Sequence, residues 1–260
     1  MSSTVDPPPP LVVVPVYGNI DLVARALTSI DEHTAVDVPL LVIDDAGPER
    51  LTKAALGELL VSGRPVRFVA HSKNRGFVSS ANEGFGAREG RDVVIVNSDV
   101  VVFPGWLDGL QAAATATRVA TVTATTNAGS IATDEEASRC SGPGELATLA
   151  WTARGEGRPS RLIPVAVGHC VYITDAALRD VGDFDEAFAP GYGEEVDWSI
   201  RAVRRGWNHV LSPAVVVWHE AGGSFGSRTW LRRRHELRLA WRYPREFVIL
   251  RRRPGQPLRG

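Results

Sequence analysis

The sequence predicts an α/β protein in which a mostly parallel central sheet carries helices on both faces. Short runs rich in Val, Ile and Leu alternate with segments whose apolar residues recur at helical spacing. Such alternation is typical of βαβ units. Several apolar runs also end in polar residues, and ligands of open parallel sheets bind beyond the carboxyl ends of the strands.

The first half of the chain has the clearest alternation. Five apolar runs are predicted strands: residues 11–17, 39–45, 65–70, 92–96 and 119–125. Four helical segments are expected between them: one after Asn19, one over 48–60, one entered by the loop within 74–87, and one from Pro104 to about Thr117. Asn19 has the short polar side chain preferred at a helix N-cap, and Pro104 is typical of a first turn.

The second half is less regular. Residues 125–160 are rich in Gly, Thr, Ala and Glu, and we expect a long irregular insert of the kind that often forms substrate loops. Four elements follow it: a long apolar strand over 162–174, a short helix over 175–181 closed by Gly182, a loop opening a helix with an acidic first turn over 191–207, and a strand over 213–226 that ends in a Gly-rich loop. No internal repeat or linker is visible, which favours one domain.

Charge is unevenly distributed along the chain. The formal net charge is -1, so electrostatics argue against a nucleic-acid partner. Residues 227–260 nevertheless contain eleven Arg and two Glu, which leaves 18 basic and 28 acidic residues in the remainder. This basic arm of +9 predicts contact with phosphates, with an acidic membrane surface or with the -10 body itself. A solvated pair of amphipathic helices is the alternative.

Cysteine content and the N-terminal residues bear on the compartment. Cys140 and Cys170 are too few for a disulfide framework and lack metal-site spacing. The first ten residues, MSSTVDPPPP, have neither the basic nor the apolar region of a signal peptide. No run reaches the roughly 18 apolar residues of a membrane span. We therefore predict a cytoplasmic protein, with peripheral contact to the inner face of the membrane through the basic arm as an option.

Polar residues mark the ends of the predicted strands. They are Tyr17, Asp44, Asp45, Asn74, Gly76, Asn97, Ser98, Asp99 and His219. Together they predict a ligand site at one edge of the sheet. The end of the first strand reads VPVYGNID and contains no G-x-G-x-x-G, and no Walker loop occurs. These absences argue against an ordinary dinucleotide-binding dehydrogenase and against a P-loop enzyme.

Six motifs occur in a particular order: VPVYGNIDLVARALTSI, VIDDAG, NRGFVSSANEGF, VNSDVVVFPGWLDGL, VGDFDEAFAPGYGEEVDWSIRAVRRGW and VWHEAGGSF. In order and spacing they resemble family 2 glycosyltransferases with the GT-A fold, over roughly residues 11–225. The resemblance implies a Rossmann-like α/β sheet and an inverting enzyme. Such an enzyme moves one sugar from a UDP- or dTDP-type nucleotide-diphosphate sugar to a hydroxyl of a glycan, lipid-linked, peptide or natural-product acceptor.

The same resemblance implies a division of the chain. Residues 1–10 would be a flexible Pro-rich lead-in, and 11–226 a single glycosyltransferase domain. Within that domain, 11–104 would bind the nucleotide and 105–226 the acceptor. Residues 227–260 would form the basic C-terminal arm.

The nucleotide site is implied by residues of the first half. The resemblance assigns contacts to Pro15, Val16, Tyr17, Asp45, Asn74, Gly76, Asn82, Asn97 and Ser98. Asp44 and Asp45 are adjacent and point to opposite sides of a strand, and the resemblance favours Asp45 in the cleft. A turn opened by the two aspartates is the alternative.

The metal site is implied by the segment 97–99. Asn-Ser-Asp stands where the family usually has Asp-x-Asp, so Asp99 is the predicted carboxylate ligand of Mg²⁺ or Mn²⁺ on the diphosphate. His219 matches a position that can complete these contacts, and an imidazole favours Mn²⁺ somewhat. A structural histidine is the alternative. Gly223 and Ser224 are expected to offer backbone N–H groups to phosphate.

The catalytic base is implied by an acidic pair at a helix start. The resemblance places the base at Glu195, the second residue of the pair, beside Glu194. Asp197 and Arg201 are four residues apart and share a helix face with Glu194, which predicts a structural or phosphate-positioning cluster. Acids in a first helical turn also complement the helix dipole, and this is the alternative for the pair.

Acceptor contacts and rival functions complete the hypothesis. Trp198 and Trp218 are candidate sugar-stacking surfaces and His169 a candidate wall residue, although aromatic residues are more often core. A transferase-like nucleotide-binding protein without turnover is one rival, supported by Asn97. A sugar nucleotidyltransferase is another, but its basic Gly-rich motif near the first strand is missing from VPVYGNID.

Overall fold

A computed structural model describes residues 7–129, 131–220 and 229–250, excluding the side chains of 249 and 250. Within these ranges the strands are β1 (Leu11–Val16), β2 (Leu40–Asp44), β3 (Val66–Ala70), β4 (Val93–Val96), β5 (Val100–Val101), β6 (Val119–Thr126), β7 (Arg161–Ile163), β8 (Cys170–Ile173) and β9 (Asn208–His219). The α-helices are α1 (Ile20–His33), α2 (Lys53–Leu59), α3 (Phe77–Gly86), α4 (Trp106–Ala114), α5 (Pro143–Gly155), α6 (Asp175–Val181), α7 (Glu194–Val203), α8 (Thr229–Arg242) and α9 (Pro244–Leu250).

The strands form one sheet in the order β3-β2-β1-β4-β8-β6-β9-β5, with β7 pairing on β9. The pairs of β1 with β2, β2 with β3, β1 with β4 and β6 with β9 are parallel. β8 runs antiparallel to both β4 and β6. The predicted α/β class is confirmed, with its parallel strands concentrated in the first half of the chain. The carboxyl ends of β1, β2 and β4 therefore lie at one edge of the sheet.

Helices cover both faces of the sheet, as predicted. Val12 and Val14 of β1 pack in a core with residues of α1 and α4, whereas Val13 packs with residues of α3, α6 and α7. All three valines are fully buried. Burial on both faces explains why β1 is an uninterrupted apolar run.

The predicted irregular insert contains a helix. α5 begins with a proline in its first turn, and one side of it is buried: Leu146, Leu149, Ala150 and Ala153. These residues pack in a small core with Val216 and Trp218 of β9. The prediction of irregular structure over 125–160 is wrong for Pro143–Gly155. Gly and Thr dilute the apolar spacing of three and four residues that marks this face.

Several predicted boundaries also differ. The strand over 162–174 is two strands, β7 and β8, separated by a loop that begins at Pro164, which has no N–H for a sheet ladder. β9 begins at Asn208 rather than 213, because it pairs with β6 from Val119 onward. α2 begins after Thr52, whose hydroxyl accepts from the backbone of Ala55 at 3.1 Å, so it is shorter than 48–60. α4 spans Trp106–Ala114 instead of starting at Pro104.

The described part of the basic arm packs against the body. Leu239 and Tyr243 are buried in the core that contains α7. Arg242 forms ion pairs with Asp185 at 2.7 Å and with Asp197 at 2.6 Å. The body is therefore one anionic partner of the arm. Among the described helices, none has both the length and the apolar character required to cross a bilayer.

Candidate active site

A cavity of about 290 Å³ opens at the carboxyl ends of β1, β2 and β4. This is the edge at which ligands of open α/β sheets bind. The residues that line it are Pro15, Val16, Tyr17, Asp45, Asn74, Gly76, Phe77, Ser80, Asn97, Ser98, Gly129, Val167, Gly168, His169, Pro190, Gly191, Tyr192, Glu194, Glu195 and His219. Most of the predicted nucleotide residues and both glutamates are thus brought together.

Buried polar atoms without a hydrogen bond are concentrated around this cavity. In the described part of the chain they are Ser80 Oγ, Asp99 Oδ1, Thr133 Oγ1, His169 Nδ1 and Glu194 Oε2. Ser80, His169 and Glu194 line the cavity, and Asp99 follows the lining residue Ser98. Buried polar atoms in proteins are nearly always paired. Their concentration here marks the cavity as a place where water or a polar ligand can complete the hydrogen bonding.

The two aspartates at the end of β2 have different partners. Asp44 is fully buried and accepts from the backbone of Ala46 and Leu51 and from Arg50, so it fixes the turn after the strand. Asp45 lines the cavity. The opposite orientation expected for adjacent strand residues therefore places Asp45 toward the ligand and Asp44 away from it.

Asp45 also holds the loop before α3. It accepts from the backbone N–H of Arg75 at 2.8 Å and of Gly76 at 2.7 Å. His71 Nδ1 lies 2.7 Å from the same carboxylate, and His71 Nε2 lies 2.9 Å from Glu83. This network, which the sequence did not predict, joins β2, the loop and α3 into one rigid wall.

Gly76 lies where the loop meets the opposite wall of the cavity. Its φ of +88° lies in the region that favours glycine. A Cβ at this position would be 2.6 Å from Pro190 Cα, and Phe77 N donates to Pro190 O at 2.7 Å. The loop at Gly76 thus lies in close contact with the protein's own backbone at Pro190. Asn74 lines the cavity beside it.

The Asn-Ser-Asp segment follows β4 at the cavity floor. Asn97 and Ser98 line the cavity. Asp99 is buried behind them, and its Oδ1 lies 3.4 Å from His219 Nε2. The imidazole of His219 is oriented by a 3.0 Å hydrogen bond from Nδ1 to the carbonyl of Ala128. Burial alone would lower the pKa of His219, but the carboxylate of Asp99 outweighs it and raises that pKa.

These two side chains suit a divalent cation. Within the described residues, no group of three or more His, Cys, Asp or Glu side chains could hold a metal ion. Asp99 Oδ1 nevertheless accepts no hydrogen bond and lies in ion-pair contact with His219 Nε2, and the Nδ1 bond of His219 leaves that Nε2 as the atom that could bind a cation. A carboxylate and an imidazole that meet in this way have the donor chemistry of a divalent cation site, and they supply two ligand atoms.

His169 forms the wall next to His219. Their rings stack with centroids 5.5 Å apart. His169 Nε2 is 3.0 Å from the carbonyl of Ala124, and its Nδ1 has no partner. Burial, together with the nearby charge of His219, lowers the pKa of His169 to about 3. A neutral His169 donates from Nε2 and presents Nδ1 as a free acceptor.

Glu194 and Glu195 begin α7 on the other side of the cavity. Burial raises the pKa of Glu194 well above its usual range, and repulsion from Glu195 adds to this. Burial also raises the pKa of Glu195, but hydrogen bonds from Glu194 and from the Gly193 N–H at 3.2 Å oppose the increase. Both pKa values are therefore raised, that of Glu194 more strongly, and the interaction with the Glu194 side chain favours the charged form of Glu195. One carboxylate of the pair can accept a proton.

The family model "Glycosyl transferase family 2" matches residues 11–182, which is well over half of the chain. The chain belongs to glycosyl transferase family 2. A curated relative, the succinoglycan biosynthesis protein ExoO of Rhizobium meliloti (strain 1021), is 34% identical over 92 residues. That match covers 35% of this chain and 26% of the relative.

Solved glycosyltransferase structures share the fold of this family 2 member. GalNAc-T7 with UDP, GalNAc and Mn²⁺ gives a TM-score of 0.69 at 14% identity, covering 94% of this chain and 49% of that one. The mannosyltransferase PcManGT of Pyrobaculum calidifontis, in complex with GDP-Man and Mn²⁺, gives 0.60 at 19% identity, with coverages of 96% and 66%. The GT-A architecture expected from the motifs is confirmed.

Some predicted site residues of this glycosyltransferase lie outside the cavity. Asn82 does not line it; its side chain exchanges hydrogen bonds with the backbone of Phe184 and reaches Glu186. Asp197 and Arg201 form a 2.8 Å ion pair, but Asp197 is fully buried and Arg201 also binds carbonyls of the preceding loop. These three residues support the cavity wall from behind instead of contacting a ligand.

The two predicted stacking tryptophans are core residues. Trp198 is 1% exposed, and its indole N–H donates to the carbonyl of Gly182 at 2.7 Å. Trp218 is 8% exposed and packs against α5, with its indole N–H donating to Glu220. Neither offers a free face to a sugar, so the stacking prediction is wrong for both. Gly223 and Ser224 lie outside the described residues.

Sequence reasoning missed part of the cavity. Ser80 lines it from the first turn of α3, and Pro190, Gly191 and Tyr192 form the wall before the acidic pair. The stretch APGYG directly precedes the glutamates and is rich in Gly and Pro, so a loop at the site could have been inferred. Ser80 carries no comparable signal, because Ser is common in helix first turns.

Proposed function

We propose that the chain is an inverting glycosyltransferase that moves one sugar from a nucleotide-diphosphate sugar to a hydroxyl group of an acceptor. The observation that carries the proposal is the cavity at the strand ends, which His169 and Glu194 line with polar atoms that have no hydrogen bond, and behind whose lining residue Ser98 the carboxylate of Asp99 is buried. Family membership supports sugar transfer. The chain matches less than a third of ExoO, so the activity of the whole relative is not assumed.

The donor nucleotide would occupy the end of the cavity formed by Pro15–Tyr17, Asp45, Asn74 and Gly76. Asp45 can accept from a base imide or a ribose hydroxyl at its remaining lone pairs. GalNAc-T7 and PcManGT hold UDP or GDP-Man with Mn²⁺ on the same fold, which supports a nucleotide-sugar donor here. We favour a UDP- or dTDP-type donor.

Asp99 and His219 would hold Mg²⁺ or Mn²⁺ against the two phosphates. A bound divalent cation stabilises the diphosphate leaving group by neutralising its charge. Asn97 supplies no charge where the family usually has a second acid. Much of the affinity for the cation therefore comes from the nucleotide, and metal binding should depend strongly on it.

Glu195 would act as the general base, with Glu194 as its hydrogen-bonded partner. The acceptor hydroxyl attacks the anomeric carbon on the face opposite the diphosphate, and a new glycosidic C–O bond forms. The C–O bond to the diphosphate breaks and its electron pair leaves with the phosphate oxygen. The hydroxyl proton passes to the Glu195 carboxylate. A protonated Glu194 keeps Glu195 ionised by donating to it.

The acceptor would enter beside Tyr192, His169 and Gly129, which line the cavity between the base and the metal site. A hydroxyl can donate to the free Nδ1 of His169. These contacts do not distinguish a glycan from a lipid-linked, peptide or natural-product acceptor. A nucleic-acid acceptor is disfavoured by the formal net charge of -1.

A nucleotide-binding protein without turnover is the second candidate, favoured by Asn97 in place of an acid. The remaining rival, a sugar nucleotidyltransferase, receives no support from the family match. Calorimetric titration with UDP, dTDP and GDP, each with and without Mn²⁺, tests the common basis of the two candidates. We expect tighter binding of UDP or dTDP with Mn²⁺ than without it. Metal-independent binding, or none, would contradict both.

Turnover then separates the two candidates. A panel of nucleotide-diphosphate sugars is incubated with the chain and Mn²⁺, and release of the nucleotide diphosphate is measured. Release from at least one donor supports the transferase. Donor binding without release from any member of the panel, with or without a mixture of glycan and lipid-linked acceptors, favours the binding protein.

A further inference from the structure

The helix α8 of the basic arm has two opposite apolar faces. One face is buried against the body and contains Leu231, His235 and Leu239. The other consists of Trp230, Leu237 and Trp241, which are 66%, 72% and 86% exposed. The spacing of seven and four residues places these three side chains on one side of the helix. We name Trp230, Leu237 and Trp241 the outer face of α8.

The outer face cannot be buried by a simple rotation of α8, because contacts on the inner side fix the helix. His235 Nδ1 lies 3.1 Å from the carbonyl of Gly191 and 2.8 Å from that of Tyr192. Arg242, at the end of the helix, pairs with Asp185 and with the fully buried Asp197. Breaking the pair of Arg242 with Asp197 would remove one partner of a buried carboxylate, which destabilises the fold. The outer face therefore stays on the surface of the molecule, where an external surface can bind it.

The charges beside the outer face have one sign. Arg233 and Arg234 are exposed and have no ion-pair partner within the described part of the chain. The two acids of the arm are both engaged: Glu236 pairs with Arg232 at 3.3 Å, and Glu246 pairs with Arg204 at 2.7 Å. The surface offered by α8 is consequently apolar and cationic. Three further arginines, 251–253, follow α9 in the sequence.

We propose that α8 docks on an anionic membrane surface. Exposed Trp and Leu side chains enter the headgroup and acyl boundary, while flanking arginines bind lipid phosphates. The arm carries +9 and the remainder of the chain -10, so an anionic surface attracts the arm and repels the remainder. A protein partner would explain the tryptophans, but it would not require this separation of charge.

Docking in this orientation would bring the cavity close to the membrane. The inner side of α8 bonds directly to Gly191 and Tyr192, which line the cavity. One helix diameter, about 10 Å, therefore separates the outer face from the cavity wall. The inference depends on the arm alone and stands whether or not the chain transfers sugar.

Co-sedimentation of the full chain with lipid vesicles tests the proposal. One set of vesicles is pure phosphatidylcholine, and the other contains about one third phosphatidylglycerol. Three variants are compared: Trp230→Ala/Trp241→Ala, Arg233→Ser/Arg234→Ser, and Trp151→Ala. Trp151 lies on α5, away from the arm, and is 70% exposed, so it is a matched control for loss of an exposed tryptophan. Circular dichroism checks that each variant is folded.

We expect binding to the anionic vesicles, little binding to neutral ones, and weakening by salt. The double tryptophan variant should bind about tenfold more weakly, the arginine variant should lose most of the preference for anionic lipid, and Trp151→Ala should bind as the parent does. Absence of binding to anionic vesicles would overturn the proposal. So would binding that the tryptophan variant retains in full, or an outer face that instead mediates concentration-dependent self-association in sedimentation velocity.

Discussion

Glu194 and Glu195 are adjacent, yet their surroundings raise their pKa values to different extents. Glu194 is 5% exposed and has one oxygen without a partner, whereas Glu195 is half-buried and accepts from the Gly193 N–H. Burial raises both pKa values, and the charge of Glu195 raises that of Glu194 further. Such a pair can keep one carboxylate ionised in a partly buried site, as a general base requires.

The pH dependence of turnover follows from the raised pKa of Glu195. A base acts only when ionised, so activity should fall as the pH decreases through that pKa. Because burial places it above the ordinary value of 4.5, the acid limb of kcat should lie above pH 4.5. Initial rates of nucleotide release across the pH range, with folding monitored by fluorescence, measure it. An acid limb below pH 4.5 in folded protein would contradict the assignment.

Asn97 is the residue at which this site departs from the family's two-acid signature. Asn97→Asp would add a carboxylate that lines the cavity next to Asp99 and His219. We expect the apparent affinity for Mn²⁺ in the presence of UDP to rise about tenfold, since each added carboxylate ligand strengthens binding of a hard cation. Titration calorimetry measures the change. Asn208→Asp serves as the control, because Asn208 is at the opposite end of β9 from His219 and the substitution adds the same charge there. Equal effects of the two substitutions on the affinity for Mn²⁺ would refute a metal site at Asn97.

At the scale of elements, the start of α3 depends on Gly76. Gly76→Ala would place a methyl group 2.6 Å from Pro190 and force an alanine to a φ of +88°. Gly90 also has a positive φ, +78°, but a methyl group added there would have no neighbouring atom within 4 Å. We expect Gly76→Ala to reduce the free energy of unfolding by about 1–3 kcal/mol more than Gly90→Ala, because overpacking adds to backbone strain. Equal losses of unfolding free energy in the two variants, measured by urea titration, would show that the contact with Pro190 does not affect stability.

The arm is attached to the body through α7. Arg242→Ala removes one of three groups that bind the fully buried Asp197, the others being Arg201 and Tyr243. We expect the free energy of unfolding to fall by about 2–3 kcal/mol, since a buried charge loses a partner while two remain. Arg232→Ala breaks only an exposed pair with Glu236 and should cost less than about 1 kcal/mol. Denaturant titration of both variants measures the difference, and similar losses would mean that the arm is not anchored at Asp197.

At the scale of the whole molecule, local patterns predicted the parallel strands and the edge at which their polar ends meet. Val12, Val13 and Val14 indicate a strand by themselves. Asp45 and Asn97 directly follow strands, and His219 is the last residue of one. The roles of Asp197 and Gly76 depended on distant residues: Arg242 and Tyr243 for the first, Pro190 for the second. Contacts between residues that are tens of positions apart produce no periodic pattern in a single sequence. The stacking prediction failed for a related reason, because an aromatic residue near a motif has the same sequence pattern whether it is core or ligand wall.

The central claim is that the cavity binds a nucleotide-diphosphate sugar and that Glu195 removes the acceptor proton. The most direct measurement compares nucleotide release by Glu195→Gln and by the parent chain, with donor affinity measured on the same samples by calorimetry. We predict an unchanged donor affinity and a rate about two to four orders of magnitude lower, because the amide retains shape but cannot take a proton. Glu58→Gln, on the exposed side of α2, should match the parent in both. Release by Glu195→Gln at the parent's rate, with donor still bound, would contradict the claim.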